Sequence, residues 1–159
     1  MVAARPAAWR TANVGAMPSD AALKMMNGVH RAVLKLSFGK LGWQGSGMPV
    51  LELTTVGRKS GQPRTVMLTS PLQEGQTIVV VASRGGDDEH PAWFLNLRDH
   101  PEVEVVYQGQ PSRQMVAHVA DEAERARLWP LVVADHKNYA GYQTKTEREI
   151  PLVLLEPAA

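Results

Sequence analysis

The sequence predicts an α+β fold: a small closed barrel of about six mostly antiparallel strands with helices packed outside. Three observations carry this. Residues 50–56, 64–71 and 77–82 are runs rich in Val, Leu, Ile and Thr, separated by GRKSGQP and QEGQ. Such β-prone runs broken by Gly and Pro clusters read as consecutive antiparallel strands. Next, EVEVVYQ (102–108) and SRQMVAHVA (112–120) alternate in polarity on either side of Gly109 and Gln110, which reads as a strand that turns and runs back. Finally, IPLVLLEP reads as a buried last strand, and closing six strands on themselves removes their unpaired edges.

Taken in order, residues 1–18 are rich in Ala with scattered Arg and Pro, and show no period. They predict a mobile N-terminal segment. Residues 19–48 form a second unit. Ser19 or Asp20 caps a helix to about residue 37, in which Leu23, Met26, Val29, Val33 and Leu36 recur at helical spacing while Lys24, Arg31 and Lys35 share another face. This helix suits covering one face of the sheet, or resting its basic face on an anionic membrane. FGKLGWQGSG then makes a Gly-rich connection. It is neither a dinucleotide fingerprint nor a phosphate loop, since no strand precedes it and no Lys-Ser/Thr ends it. Residues 49–157 form the barrel domain.

Within that domain, residues 83–90 read as a loop, with His90 a possible cap and Pro91 at the first position of a short helix that ends near Asp99. Asp121 and Glu124 form a capping box that opens a helix, which Pro130 is expected to restart. NYAGYQTKTER is polar and carries two tyrosines before the final strand.

The 159 residues suit one domain with a proper core, and 44% hydrophobic with 21% charged residues is ordinary soluble composition. A net charge of +1 advertises no nucleic-acid partner. With no Cys, disulfides and thiolate catalysis are excluded, and a cytoplasmic protein is the default. The five histidines lack ligand spacing, so no metal site is expected, and no G-x-S-x-G motif supports a hydrolase. Asp87, Asp88 and Glu89 fit a solvated loop better than an acid–base pair.

The first hairpin is chemically different. Gly57 and Gly61 supply turn geometry, but the turn does not need Arg58, Lys59 and Arg64. Three cations converging on glycine-exposed backbone describe an anion site, although a basic turn of no function has the same composition. An anion clamp without a nucleophile points to a bound organic cofactor.

LTTVGRKSGQPR, VVASRGG, HPAWFLNLRDHPEVEV and YAGYQTKTEREIPLVLLEP, in this order, resemble the deazaflavin (F420)-dependent nitroreductase family, which includes F420H2-dependent quinone reductases. The resemblance runs from about residue 50 to 157 and implies a split β-barrel that uses reduced coenzyme F420. By the same resemblance, Arg58, Lys59 and Arg64 would grip the coenzyme's phosphate and acidic tail, and the backbone of Thr65, Val66, Met67 and Leu68 would lie along the deazaflavin ring. Ser83, Arg84, Gly85 and Gly86 match a second coenzyme loop, with Arg84 where Lys is commoner. Trp93 and Asn96 match a P-x-W-x-x-N helix bordering the pocket, with Phe94 where Tyr is common. Tyr139 and Tyr142 match aromatic positions over the substrate side of the ring, and His136 replaces a third.

The implied activity is passage of hydride from reduced F420 to a quinone-like or nitroaromatic acceptor, with Tyr139 or Tyr142 donating a hydrogen bond to the acceptor oxygen. Two readings stand beside it: a non-catalytic carrier of F420 or a lipid-like ligand, and a flavin-mononucleotide enzyme on the same barrel. Tyr139 and Tyr142 would equally suit packing against the final strand.

Overall fold

A computed structural model describes Asp20, Ala21, Lys24, the backbone of Gln44–Gly45, and residues 47–159. Asp20, Ala21 and Lys24 are helical and exposed. The remainder of the expected N-terminal helix, residues 1–18 and most of the Gly-rich connection lie outside the described residues.

The strands are β1 (Gln44–Gly45), β2 (Met48–Val56), β3 (Pro63–Thr69), β4 (Leu72–Glu74), β5 (Thr77–Val81), β6 (Glu102–Tyr107), β7 (Arg113–Val119) and β8 (Leu152–Pro157). They join in the order β1-β2-β6-β7-β8-β5-β4, with β3 on β2, and every ladder is antiparallel. The expected six strands are all present. Two short ones join them, β1 and β4, the latter taking Leu72 and the first two residues of the QEGQ turn. The sheet curls into a half-barrel instead of closing completely: among the described residues no ladder connects β3 to β4. Ser70 forms the corner between them, its one hydroxyl proton facing the carbonyls of Val79 at 2.7 Å and Leu72 at 3.0 Å. Those contacts tie the strand ends through a side chain where a backbone ladder would otherwise be needed.

The period-2 patterning sorts side chains into two layers. Inside the curl, Leu51, Leu53, Val80, Val105, Met115 and Leu155 pack with Trp93, Phe94 and Leu97 of helix α1 (Ala92–Asp99), which plugs one end. Outside β5 and β8, Val79, Val81, Leu152 and Leu154 pack under α2 (Glu122–Asp135) and α3 (Lys137–Gln143). Each wholly buried leucine contributes about 1.5–3 kcal/mol.

Three local expectations need correction. Pro91 is the N-cap of α1 and not its first helical residue, and His90 caps nothing because its ring turns toward Arg148. α2 opens on the expected capping box but runs through Pro130 without restarting. Pro130 and Ala126 both lie on the exposed face, so the carbonyl that loses its amide partner is open to solvent. Among the described residues no helix is long and apolar enough to cross a membrane.

Candidate functional site

The β2–β3 loop is a cage of backbone hydrogen bonds. The Gly57 amide donates to the Gln62 carbonyl and the Gly61 amide to the Gly57 carbonyl, both at 2.8 Å. A side chain at 57 would meet Ser60 Oγ at 2.6 Å and the Gln62 carbonyl oxygen at 3.2 Å, so a larger residue there would have to displace the Ser60 hydroxyl from the turn. Arg58, Lys59 and Arg64 are all exposed. Among the described residues none of them enters an ion pair. Arg64 Nη2 donates, among the described residues, to Ser60 Oγ alone, at 3.3 Å. The hairpin end therefore carries three cations with donors to spare.

Asn96 holds this loop from behind. It is 5% exposed, on the inner side of α1. Its Oδ1 accepts from the Arg58 amide at 3.1 Å, and its Nδ2 donates to Thr55 Oγ1 at 3.1 Å. Thr55 in turn donates to the Arg64 carbonyl at 3.4 Å. The carbonyl and amide of one side chain thus set both ends of the cationic turn. Replacing Asn96 by Leu leaves the part-buried Arg58 amide without its acceptor and Thr55 Oγ1 with only its bond to the Arg64 carbonyl. It is expected to cost about 1–3 kcal/mol of stability, the cost of one unsatisfied group. A thermal melt of Asn96→Leu with an unchanged midpoint would refute the arrangement.

β3 carries a ladder to β2 alone among the described residues, so Thr65 to Leu68 run along one margin of the sheet. Thr65 Oγ1 shares a hydrogen bond of 2.9 Å with Thr54 Oγ1, while Val66 and Leu68 turn into the barrel core.

The second loop is strained and clamped. Arg84, Gly85 and Gly86 take consecutive φ values of +46°, +67° and +86°, a conformation that disfavours the Arg side chain. Arg84 is not available as the Arg58 group is. Its guanidinium pairs with Asp20, with Asp87 at 2.9 Å and with Glu89 at 3.2 Å, and its side chain is 14% exposed. Ser83 is buried and gives its carbonyl to Arg148. The His90 Nδ1 atom also faces Arg148, at 3.3 Å, and an arginine can only donate. Burial first, then Arg148 and Arg98, push the His90 imidazole below its ordinary range, which keeps it a neutral acceptor.

Trp93 lies in the barrel core, edge-on to Phe94 at 6.3 Å. The two tyrosines separate in role. Tyr139 is 5% exposed; its hydroxyl donates to Met48 Sδ at 3.6 Å and lies 3.4 Å from Thr69 Oγ1, next to the end of β3. Burial pushes its phenol up, so it stays protonated. Tyr142 is half-buried, and among the described residues its hydroxyl makes no hydrogen bond. Its ring meets Tyr139 edge-on at 6.0 Å, and Lys145 Nζ lies 5.6 Å from its centroid. His136 stacks edge-on against Tyr139 at 6.4 Å.

The architecture places the cationic hairpin and the second loop on a split barrel, flanked by a helix of aromatic residues. Residues 27–157 match the family model of the F420H(2)-dependent quinone reductases, and the chain belongs to that family. It is 36% identical over 133 residues to an F420H(2)-dependent quinone reductase of Mycobacterium tuberculosis H37Rv, covering 80% of this chain and 87% of the relative. A solved F420-H2 dependent reductase, FDR-A, is 37% identical with a TM-score of 0.59, covering 68% of this chain and 94% of that one. A domain-swapped dimer is 32% identical with a TM-score of 0.60, covering 83% and 99%. The family's coenzyme is anionic, and the donor set fits it: three uncommitted cations on a loop whose shape is fixed from the core.

Sequence reasoning missed Arg148, Thr55 and Ser60. Thr55 reads as one more strand residue and Ser60 as turn filler. Arg148 sits in a polar run without period, and only the fold brings it to a loop more than sixty positions away.

Proposed function

We propose that this protein is an oxidoreductase that passes hydride from reduced coenzyme F420 to a quinone. The observation that carries the reading is the uncommitted cationic hairpin of Arg58, Lys59 and Arg64 beside the margin strand β3, in a chain of this family. Arg58, Lys59 and Arg64 would hold the phosphate and acidic tail, and the β3 backbone from Thr65 to Leu68 would supply hydrogen-bonding groups to the ring. When bound, the reduced deazaflavin supplies a hydride and no single electrons. Converting a quinone to its hydroquinone takes that hydride and one proton, so the protein must hold the acceptor in place and stabilise charge growing on its oxygen. Tyr142 donates a hydrogen bond to that oxygen, and water supplies the proton. Tyr139 backs Tyr142 by ring packing, its own hydroxyl being engaged with Met48 and Thr69. A nitroaromatic is the second acceptor class this site suits, because its oxygens present the same developing charge.

Tyr142→Phe is expected to lower quinone turnover about tenfold with little change in F420 binding, since the bond matters chiefly in the transition state. Tyr139→Phe should instead lower stability by about 0.5–1.5 kcal/mol, the usual net value of one hydrogen bond. Steady-state turnover of both variants beside their F420 titrations checks this; full turnover in Tyr142→Phe would remove it from the mechanism. The proposal as a whole is tested by fluorescence titration with F420 and with flavin mononucleotide, followed by menadione added to the reduced complex. Binding of flavin alone would reassign the cofactor, and F420 binding without menadione reduction would leave a carrier.

A further inference from the structure

We infer that Arg148 is the positioning residue of the second coenzyme loop, fixing it against the helix that carries Tyr142; the role rests on the F420 reading above. Arg148 stands on the approach to β8, more than sixty residues from the loop in sequence and in contact with it in space. Its Nε donates to the Asp87 carbonyl at 2.7 Å, its Nη2 to the Ser83 carbonyl at 2.9 Å, and its Nη1 to the Ala82 carbonyl at 3.2 Å and to His90 Nδ1 at 3.3 Å. Four of the five guanidinium hydrogens are therefore spent on one loop, and the three carbonyls span both its ends.

No carboxylate pairs with Arg148 among the described residues, which separates it from Arg84 in the same loop. A cation whose partners are backbone carbonyls and a neutral imidazole is placed for geometry. The loop needs such a clamp because its own conformation is unfavourable: three successive residues lie in the left-handed region, the first of them an arginine. Its internal backbone bonds are two, Gly86 to the Ser83 carbonyl at 2.9 Å and Asp87 to the Arg84 carbonyl at 3.3 Å, beside the Arg84 pairs to Asp87 and Glu89.

The clamp is anchored on the tyrosine helix. Gln143, the last residue of α3, donates through Nε2 to the Arg148 carbonyl at 2.8 Å, and the Arg148 amide donates to Thr146 Oγ1 at 3.2 Å. Helix α3, Arg148 and the loop thus form one connected frame. The fork adds a side-chain tie between the coenzyme loop and the Tyr142 helix to the direct approach of Gly86 to the Tyr142 backbone.

The test compares Arg148→Met, Arg148→Lys and, as a control, Arg125→Met. Arg125 also bonds the approach to β8, through Ile150 O and Gln143 Oε1, but does not touch the loop. Amide exchange of Gly86 and Asp87 is measured without coenzyme, and F420 affinity by fluorescence titration, beside thermal melts. In Arg148→Met, exchange at both amides is expected to accelerate about tenfold or more, and the F420 dissociation constant to rise about tenfold. Arg148→Lys should recover only part of this, because one ammonium cannot reach all three carbonyls. Arg125→Met should keep wild-type exchange in the loop and wild-type affinity. Should Arg148→Met fail to fold, Arg148→Lys carries the test alone. A variant at 148 that melts earlier yet keeps loop exchange and F420 affinity unchanged would overturn the inference, leaving a merely structural arginine. Failure of the wild-type protein to bind F420 would refute the coenzyme reading instead, and the exchange measurement would still decide whether Arg148 clamps the loop.

Discussion

With Arg58, Lys59 and Arg64 all changed to Ala, the protein is expected to bind coenzyme F420 about a thousandfold or more weakly at low salt. Each cation can form a charge-assisted hydrogen bond worth about 1.5–3 kcal/mol, and 1.4 kcal/mol is a factor of ten. The effect is large because none of the three is neutralised among the described residues, so each faces an anionic ligand undiminished. Arg84, caged by Asp20, Asp87 and Glu89, should contribute much less through its charge. Salt gives an independent reading. Raising ionic strength from about 0.1 M to 1 M shortens the screening length from about 10 Å to about 3 Å, so wild-type affinity should fall steeply. The triple variant, having lost the cations, should respond weakly. The fold should survive, since all three side chains are exposed. Wild-type titration curves from the triple variant would place the coenzyme elsewhere.

How much of this was legible beforehand follows from where the information resides. Strand runs such as VLELTTV and the alternation of EVEVVYQ are local, so the strands appear in the sequence nearly where the structure has them. The short β4 does not, because three residues beside a Gly turn carry too little pattern; it pairs only because β5 is held in place by β8. Complete closure was over-read. β3 ends at the Ser70 corner and leaves one margin of the sheet unpaired among the described residues, and no sequence periodicity reports that. The cationic hairpin is legible because Arg, Lys and Gly are unusual in so short a turn. Its support is not. Asn96 presents itself as one polar residue in a short helix, yet its two hydrogen-bond groups reach Arg58 and Thr55, 38 and 41 positions away. Tyr139 and Tyr142 show the same limit: their spacing puts them on one helix, but only packing against Met48 and Thr69 decides which hydroxyl is spent.

Gly86→Ala is expected to be among the most damaging single-methyl additions in the protein, costing about 2–5 kcal/mol. Two effects sum. At φ +86° a residue with a Cβ is strained by about 1–2 kcal/mol. The methyl would also stand 2.6 Å from the Tyr142 carbonyl oxygen, 3.0 Å from Tyr142 Cα and 3.1 Å from Lys145 Cβ. Two of those atoms are backbone, so no rotamer change relieves the clash, and overpacking of this kind costs about 1–3 kcal/mol. For a chain of this size each kcal/mol lowers the melting midpoint by about 2–4 °C, so a fall of about 4–20 °C is expected. Gly85→Ala separates the two effects. Gly85 has φ +67° but nothing within 4 Å of a built Cβ, so it should show the strain alone, about 1–2 kcal/mol. The functional consequence should follow the clash and not the strain. Whatever the alanine displaces at position 86 lies between the second coenzyme loop and the end of α3, so Tyr142 must shift relative to that loop. The folded fraction of Gly86→Ala should therefore lose quinone turnover beyond its loss of stability, while Gly85→Ala should keep it. Thermal melts and turnover at a temperature where both variants are folded make the comparison. Equal melting points for the two would show that the close approach of loop and helix does not constrain the protein in solution.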